Sequence, residues 1–387
     1  MSHRYELDGV RALAIAVVVL SHVWFLPSMA GGWLGVDVFF VLSGYLITSV
    51  LLSEWDRHGS VSIRRFYVRR ILRLYPALVV LLLIGALFYQ QLGEYGTFAG
   101  YLHTAAYAGF YVENIFIGYA GNSHGNLGIT WTLAMEEQFY IVWAPALAFM
   151  LRRGRSPVPW LIGATAASWA ALGLVTHFVD TQILPLSYYR PDTRANELLL
   201  GCLLAFFLRR FGAQVKRSLF ARTLLAPLSV IGLAGVLLFS SYFSRQLYYT
   251  EEEMGAAVFS ALLLLGLAVA PDHAPLTVLL RTWPFVFLGK ISYAVYLYFF
   301  PVLIVLPTLI PASWHLSPQG TFALEAVVMV ALATLSQFAV ERPFLALKDR
   351  FGGAVGSGSA NLEVSPAPAG AEIGSPSLIS SSVDSPR

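Results

Sequence analysis

Ten apolar stretches of about 20 residues recur along this chain, near 8–27, 34–53, 76–92, 128–151, 158–178, 193–211, 224–243, 255–271, 286–307 and 320–340. Each is long enough to cross the roughly 30 Å hydrocarbon core of a bilayer as a helix. The composition agrees: 57% of the 387 residues are apolar and only 12% charged, about half the charged share of a soluble domain. The chain reads as an all-α integral membrane protein, a bundle of about ten transmembrane helices. Cys202 is the only cysteine, which excludes a disulfide framework and any multi-cysteine metal site. The expected surroundings are a lipid bilayer, with no nucleic-acid partner.

Loop charges orient the bundle. Arg57, Arg64, Arg65, Arg69, Arg70 and Arg73 fall at 54–75, Arg152, Arg153 and Arg155 at 152–155, and further Lys and Arg at 209–222 and 341–350. These loops share one side if 98–118, an amphipathic Gly/Tyr-rich segment, does not cross. The opposite loops carry only Arg190 and Arg245. The positive-inside rule then places both termini in the cytoplasm. Ser28-Met29-Ala30 imitates a signal-peptide cleavage site, but Glu6, Asp8, Arg11 and His22 argue that the first helix is retained. Residues 1–350 read as the membrane domain. Residues 351–387, rich in Gly, Ser, Ala and Pro, read as a disordered cytoplasmic tail.

Ionisable groups inside membrane helices are costly and mark function. Arg11 and His22 lie in the first apolar stretch. Eleven residues make about three turns, so they share a face roughly 16 Å apart, a separation suited to the two ends of one elongated ligand. Arg11 alone also fits a snorkelling topology anchor. His22 precedes the Gly31-Gly32 turn and Asp37 follows it, so a carboxylate–imidazole pair is one reading, with the imidazole as base. A satisfied buried histidine and a helix-start aspartate are the other.

Arg69, Arg70 and Arg73 fall on neighbouring turns of one helix. Their guanidinium forks suit the phosphates of a nucleotide-like ligand and equally anionic lipid headgroups. Glu136 and Glu137 must face a wet cavity or pair with arginine. Arg194 and Glu197, three apart, are placed to pair with each other. An inner set (Arg11, Arg70, Arg73) and an outer set (His22, Asp37, Glu136, Arg194, Glu197) are expected. No phosphate-binding loop, nucleophile elbow or metalloprotease motif is present, and no metal is expected.

Several segments taken together resemble the acyltransferase-3 family of membrane acyltransferases. They are Leu7 to Ala14, then His22, Gly35 to Leu46, Phe66 to Pro76, Trp131 to Tyr140, Gly289 to Tyr293, and Glu341-Arg342-Pro343. The resemblance spans about residues 5 to 347 and rests on the order and spacing of these segments. It implies a ten-helix domain that transfers an acyl group from acyl-coenzyme A to a hydroxyl. It places the family's Arg-x10-His motif on Arg11 and His22, its Arg-x-x-Arg motif on Arg70 and Arg73, and its acidic position on Glu136. One departure is Phe299, where the family often has a histidine.

Many members carry an added periplasmic hydrolase-like domain. The short tail here favours stand-alone members similar to actinobacterial macrolide O-acyltransferases. The expected enzyme moves an acetyl or short acyl group from acetyl-CoA or another acyl-CoA, a donor substrate and not a bound cofactor, to a macrolide antibiotic. The alternative acceptor is a lipid-linked or cell-surface sugar. In this reading Arg70 and Arg73, with Arg69, grip the coenzyme A phosphates, Arg11 orients the donor, and His22 is the base, oriented by Asp37 or Glu136. The expected location is the bacterial plasma membrane. A secondary transporter is the rival class, since midplane charges and helix-breaking prolines occur there too.

Overall fold

Every one of the ten apolar stretches forms a helix in the computed structural model, which describes residues 3–23, 25–92, 96–120, 125–178, 187–243 and 249–347. The long helices are α1 (Tyr5–Ser21), α2 (Leu34–His58), α3 (Ile63–Leu87), α6 (Trp131–Arg152), α7 (Val158–Phe178), α8 (Pro191–Val215), α9 (Leu225–Phe243), α10 (Tyr249–Val269), α11 (Trp283–Leu309) and α12 (Pro318–Ser336). Among the described residues there is no strand. Seven of these helices (α2, α3, α7, α8, α10, α11, α12) are long and apolar enough to cross a membrane. Of the rest, α1 has 17 residues, α6 carries Glu136-Glu137, and α9 holds a shorter apolar stretch, Leu225–Ser241. The expected tail at 351–387, with His124, Arg245, Lys348 and Arg350, lies outside the described residues.

Two boundaries differ from the sequence reading. The third helix starts at Ile63, well before Pro76, which lies inside it. The arginine-rich stretch therefore extends the span itself and is not a loop before it. Prolines are tolerated inside membrane helices, where neighbouring groups can take up the freed carbonyl. The first helix stops at Ser21, with His22 as its C-cap, and a 3₁₀ turn over Pro27–Trp33 follows. The segment 98–118 forms two short helices, α4 (Phe98–Gly109) and α5 (Glu113–Ala120), broken at Tyr111, whose φ is 56°. Neither is long enough to cross a bilayer.

Close helix approach sets the frame. α2 packs along α8, and α1 along α11. A Cβ on Gly44 would lie 2.0 Å from the Leu198 carbonyl oxygen, and one on Gly201 would lie 2.1 Å from that of Val41. Small residues at such crossings let backbones touch. At the α1–α11 crossing a Cβ on Gly289 would lie 1.9 Å from the Asp8 carbonyl oxygen. That contact fixes the next residue, Lys290, beside the start of α1.

Candidate functional site

A cavity of about 500 Å³ opens between α1, α2, α3, α6, α11 and the end of α12. Five cations line it: Arg11, Arg70, Arg73, Lys290 and Arg342. Asp8, Glu136 and Glu341 are its acidic residues. His3, at the chain's start, also lines it and contacts the Asp8 carboxylate at 2.6 Å.

The cations differ in how firmly they are held. Arg70 donates from Nε and Nη2 to Glu137 Oε1 at 3.0 and 2.8 Å, and its guanidinium lies 3.7 Å from the Tyr140 ring centroid. Tyr140 is tied in turn to Ser43 through its hydroxyl. Adjacent residues on α6 point about 100° apart, so Glu137 holds Arg70 while Glu136 faces the cavity. Both alternatives for the glutamate pair are realised, one by each residue. Arg11 stands 3.9 Å from Asp8. Arg73, Lys290 and Arg342 make no ion pair within 4 Å among the described residues. Their charge is available to an anion in the cavity.

The end of α12 forms one wall of this cavity. Gln337–Glu341 wind as a π-helix before the chain resumes as α-helix at Arg342. The wider turn keeps Glu341 on the inward face that carries Ala333 and Ser336, and Glu341 is buried. Such turns recur at functional sites.

His22 lies elsewhere, at the end of α1 remote from the chain terminus, with its side chain exposed. Nδ1 sits 2.8 Å from the Val18 carbonyl oxygen. That oxygen only accepts, so Nδ1 carries the hydrogen and the Nε2 lone pair is free to take a proton. The imidazole packs edge-on against Phe299 (centroids 5.0 Å apart) and Phe300 (5.5 Å). Phe299 is the position where a family histidine is often expected, so the two places converge in space.

Three expectations about this constellation are corrected. Asp37 does not orient His22. It is fully buried and pairs with Arg194, which also meets Glu197 and Glu253 at 3.1 Å each. The backbone of α1 itself fixes the imidazole. Glu136 belongs with the inner set, because its place on α6 points it into the cavity with Arg11 and Arg73 and not toward His22. Arg69 is exposed and does not line the cavity, since it sits about 100° around α3 from Arg70.

The expected Arg194–Glu197 pairing is present, within a larger cluster. Tyr188 lies over the guanidinium at 4.6 Å. Glu253 was missed. Its signal was the run Glu251-Glu252-Glu253 at the start of an otherwise apolar helix. Among the described residues no group of three or more His, Cys, Asp or Glu side chains is placed to hold a metal ion.

The acyltransferase-3 model, described as an acyltransferase domain, matches residues 4–340. Peptidoglycan O-acetyltransferase OatA of Listeria monocytogenes is 31% identical over 77% of this chain and 49% of its own length. O-acetyltransferase OatA of Staphylococcus aureus is 30% identical over 87% of this chain and 56% of its own. The putative peptidoglycan O-acetyltransferase YrhL of Bacillus subtilis is 33% identical over 88% and 55%. The chain thus spans about half the length of these relatives. No solved structure matches it.

Proposed function

The chain belongs to the acyltransferase-3 family, and from that premise we propose that it is a multi-pass O-acetyltransferase of the bacterial plasma membrane that acetylates a hydroxyl of a cell-surface sugar. All ten long helices cross the bilayer in this reading, with both termini cytoplasmic. The named relatives support the sugar over the macrolide as acceptor, since two of them are described by their action on peptidoglycan. The observation that carries the reading is the pairing of two features on α1. Near its start is a cationic cavity containing Arg11, and at its end is a histidine with a free Nε2.

The donor is an acyl-coenzyme A. Its phosphates meet Arg73, Lys290 and Arg342, with Arg70 held rigid by Glu137 beside them. Arg11 meets the donor deeper in the cavity. At the far end His22 Nε2 takes the proton of the acceptor hydroxyl as the oxygen attacks the thioester carbonyl. The C–S bond then breaks, and the imidazolium gives its proton to the departing thiolate. The same residue would serve an acyl-histidine route, with Nε2 as nucleophile.

The test is thiol release from acetyl-CoA by purified protein in detergent, for wild type and His22→Ala, with muropeptide, other glycan and macrolide acceptors. Sugar-dependent release, reduced about a hundredfold or more in the variant, supports the reading. Release with macrolides alone would return the acceptor to the small-molecule class. No release with any acceptor, together with no coenzyme A binding, would overturn it.

A further inference from the structure

The donor cavity stops one aromatic ring short of His22. Tyr296 lines the cavity and His22 does not. Phe299, one turn further along α11 and only 1% exposed, lies between them. Its ring centroid is 5.8 Å from that of Tyr296 on one side and 5.0 Å from that of His22 on the other. Tyr296 is itself pinned. Its hydroxyl accepts from Thr132 at 2.8 Å and donates to the Ile129 carbonyl at 2.9 Å, fastening α11 to the turn that precedes α6. Phe300 closes the other side of the imidazole.

Resting on the functional reading above, we propose that Phe299, backed by Tyr296, is a partition between the donor cavity and His22 that sets the acyl length the protein transfers. An acyl group reaches Nε2 only past the Phe299 ring. Rotation of a packed ring opens a narrow slot. An acetyl group needs little of it, whereas each added methylene needs room on a face of α11 where Val302, one turn further on, is buried as well. One methylene in an apolar pocket is worth about 10- to 200-fold in selectivity. Phe299 takes no part in bond making. It is a specificity-determining residue.

Two measurements test the partition, and the first needs no turnover. Cys202 is fully buried, so a cysteine placed at His22 is read against a silent background. His22→Cys in inverted and in right-side-out vesicles is exposed to an anionic methanethiosulfonate. Labelling from the His22 side only, and from both sides once Phe299→Ala is added, supports the partition. Labelling from both sides in His22→Cys alone overturns it, as does no gain in the double variant. The second measurement compares acetyl-, propionyl- and butyryl-CoA for wild type, Phe299→Ala and the milder Phe299→Leu. A rise of tenfold or more in the butyryl-to-acetyl ratio of kcat/KM for a folded variant is expected. An unchanged ratio in both variants refutes the length-setting role. If no acyl-CoA is turned over at all, the functional reading has failed, and the labelling result still decides whether the partition exists.

Discussion

Arg194→Met strands three carboxylates in the protein interior, and its cost follows from the geometry. Asp37, Glu197 and Glu253 are all 0–1% exposed and share this single guanidinium. At 3.1 Å to each glutamate, an effective dielectric near 20 gives each attraction a gross worth of about 5 kcal/mol. Desolvation of the four groups and repulsion among the carboxylates offset much of that. Removing one partner of a buried pair then costs about 3–5 kcal/mol. Methionine replaces the bulk, so cavity formation adds little. In a thermal melt of the purified protein in detergent, a loss of about 4–7 °C is expected. Adding Asp37→Asn to Arg194→Met removes a stranded charge and recovers part of the loss, whereas Asp37→Asn alone destabilises. Such sign reversal is the mark of coupled neighbours. A melt within a degree or two of wild type for Arg194→Met, or strictly additive losses in the double variant, would refute the account.

Asp37→Asn also separates two roles for that residue: assayed per folded molecule it loses far less than the roughly hundredfold expected for disabling a base, because Val18 orients His22. Arg73→Gln raises the KM for acetyl-CoA about tenfold or more and weakens its dependence on salt, while Arg69→Gln leaves both unchanged; titration of KM at increasing ionic strength checks the pair. Gly289→Ala forces α11 away from α1, because its Cβ would lie 1.9 Å from the Asp8 carbonyl oxygen, and costs at least the ~1–3 kcal/mol typical of overpacking, read as a lower melting temperature and weaker donor binding together.

The helices were legible because apolar length near 20 residues is a one-dimensional signal, and each of the ten stretches is helical. Local groupings were legible for the same reason. Arg70 and Arg73 share the face of α3 that lines the cavity, and Arg194 meets Glu197 one turn away. What failed were partnerships between helices far apart in sequence. Distance from the Gly31-Gly32 turn puts Asp37 and His22 at similar heights, but it does not say which way each points around its helix axis. Rotation decides the matter: Asp37 faces α8 and α10, where Arg194 and Glu253 wait. Rotation also separates Arg69 from Arg70, and Glu136 from Glu137. The π-turn at Gln337–Glu341 left no pattern to read, since one extra residue per turn changes no composition.

The distance between the arginines and the histidine, first noticed as a spacing along α1, takes on a physical purpose in the three-dimensional arrangement. A thioester held among cations with water freely admitted from both ends would be lost to hydrolysis, and excluding water from a reactive intermediate is a recognised gain from closing a site. In this fold the cations open toward the end of the bundle that holds the chain start, and His22 is exposed toward the other. The aromatic layer of Tyr296, Phe299 and Phe300 lies between them. On the function proposed above, the coenzyme A body of the donor stays on the cation side and the acceptor on the His22 side, and only the thioester end has to reach past the layer. A base that served a donor and acceptor entering from the same side would be better placed inside the cavity, next to Arg11. Its position beyond the layer supports the proposed transfer from a donor on one face to an acceptor on the other.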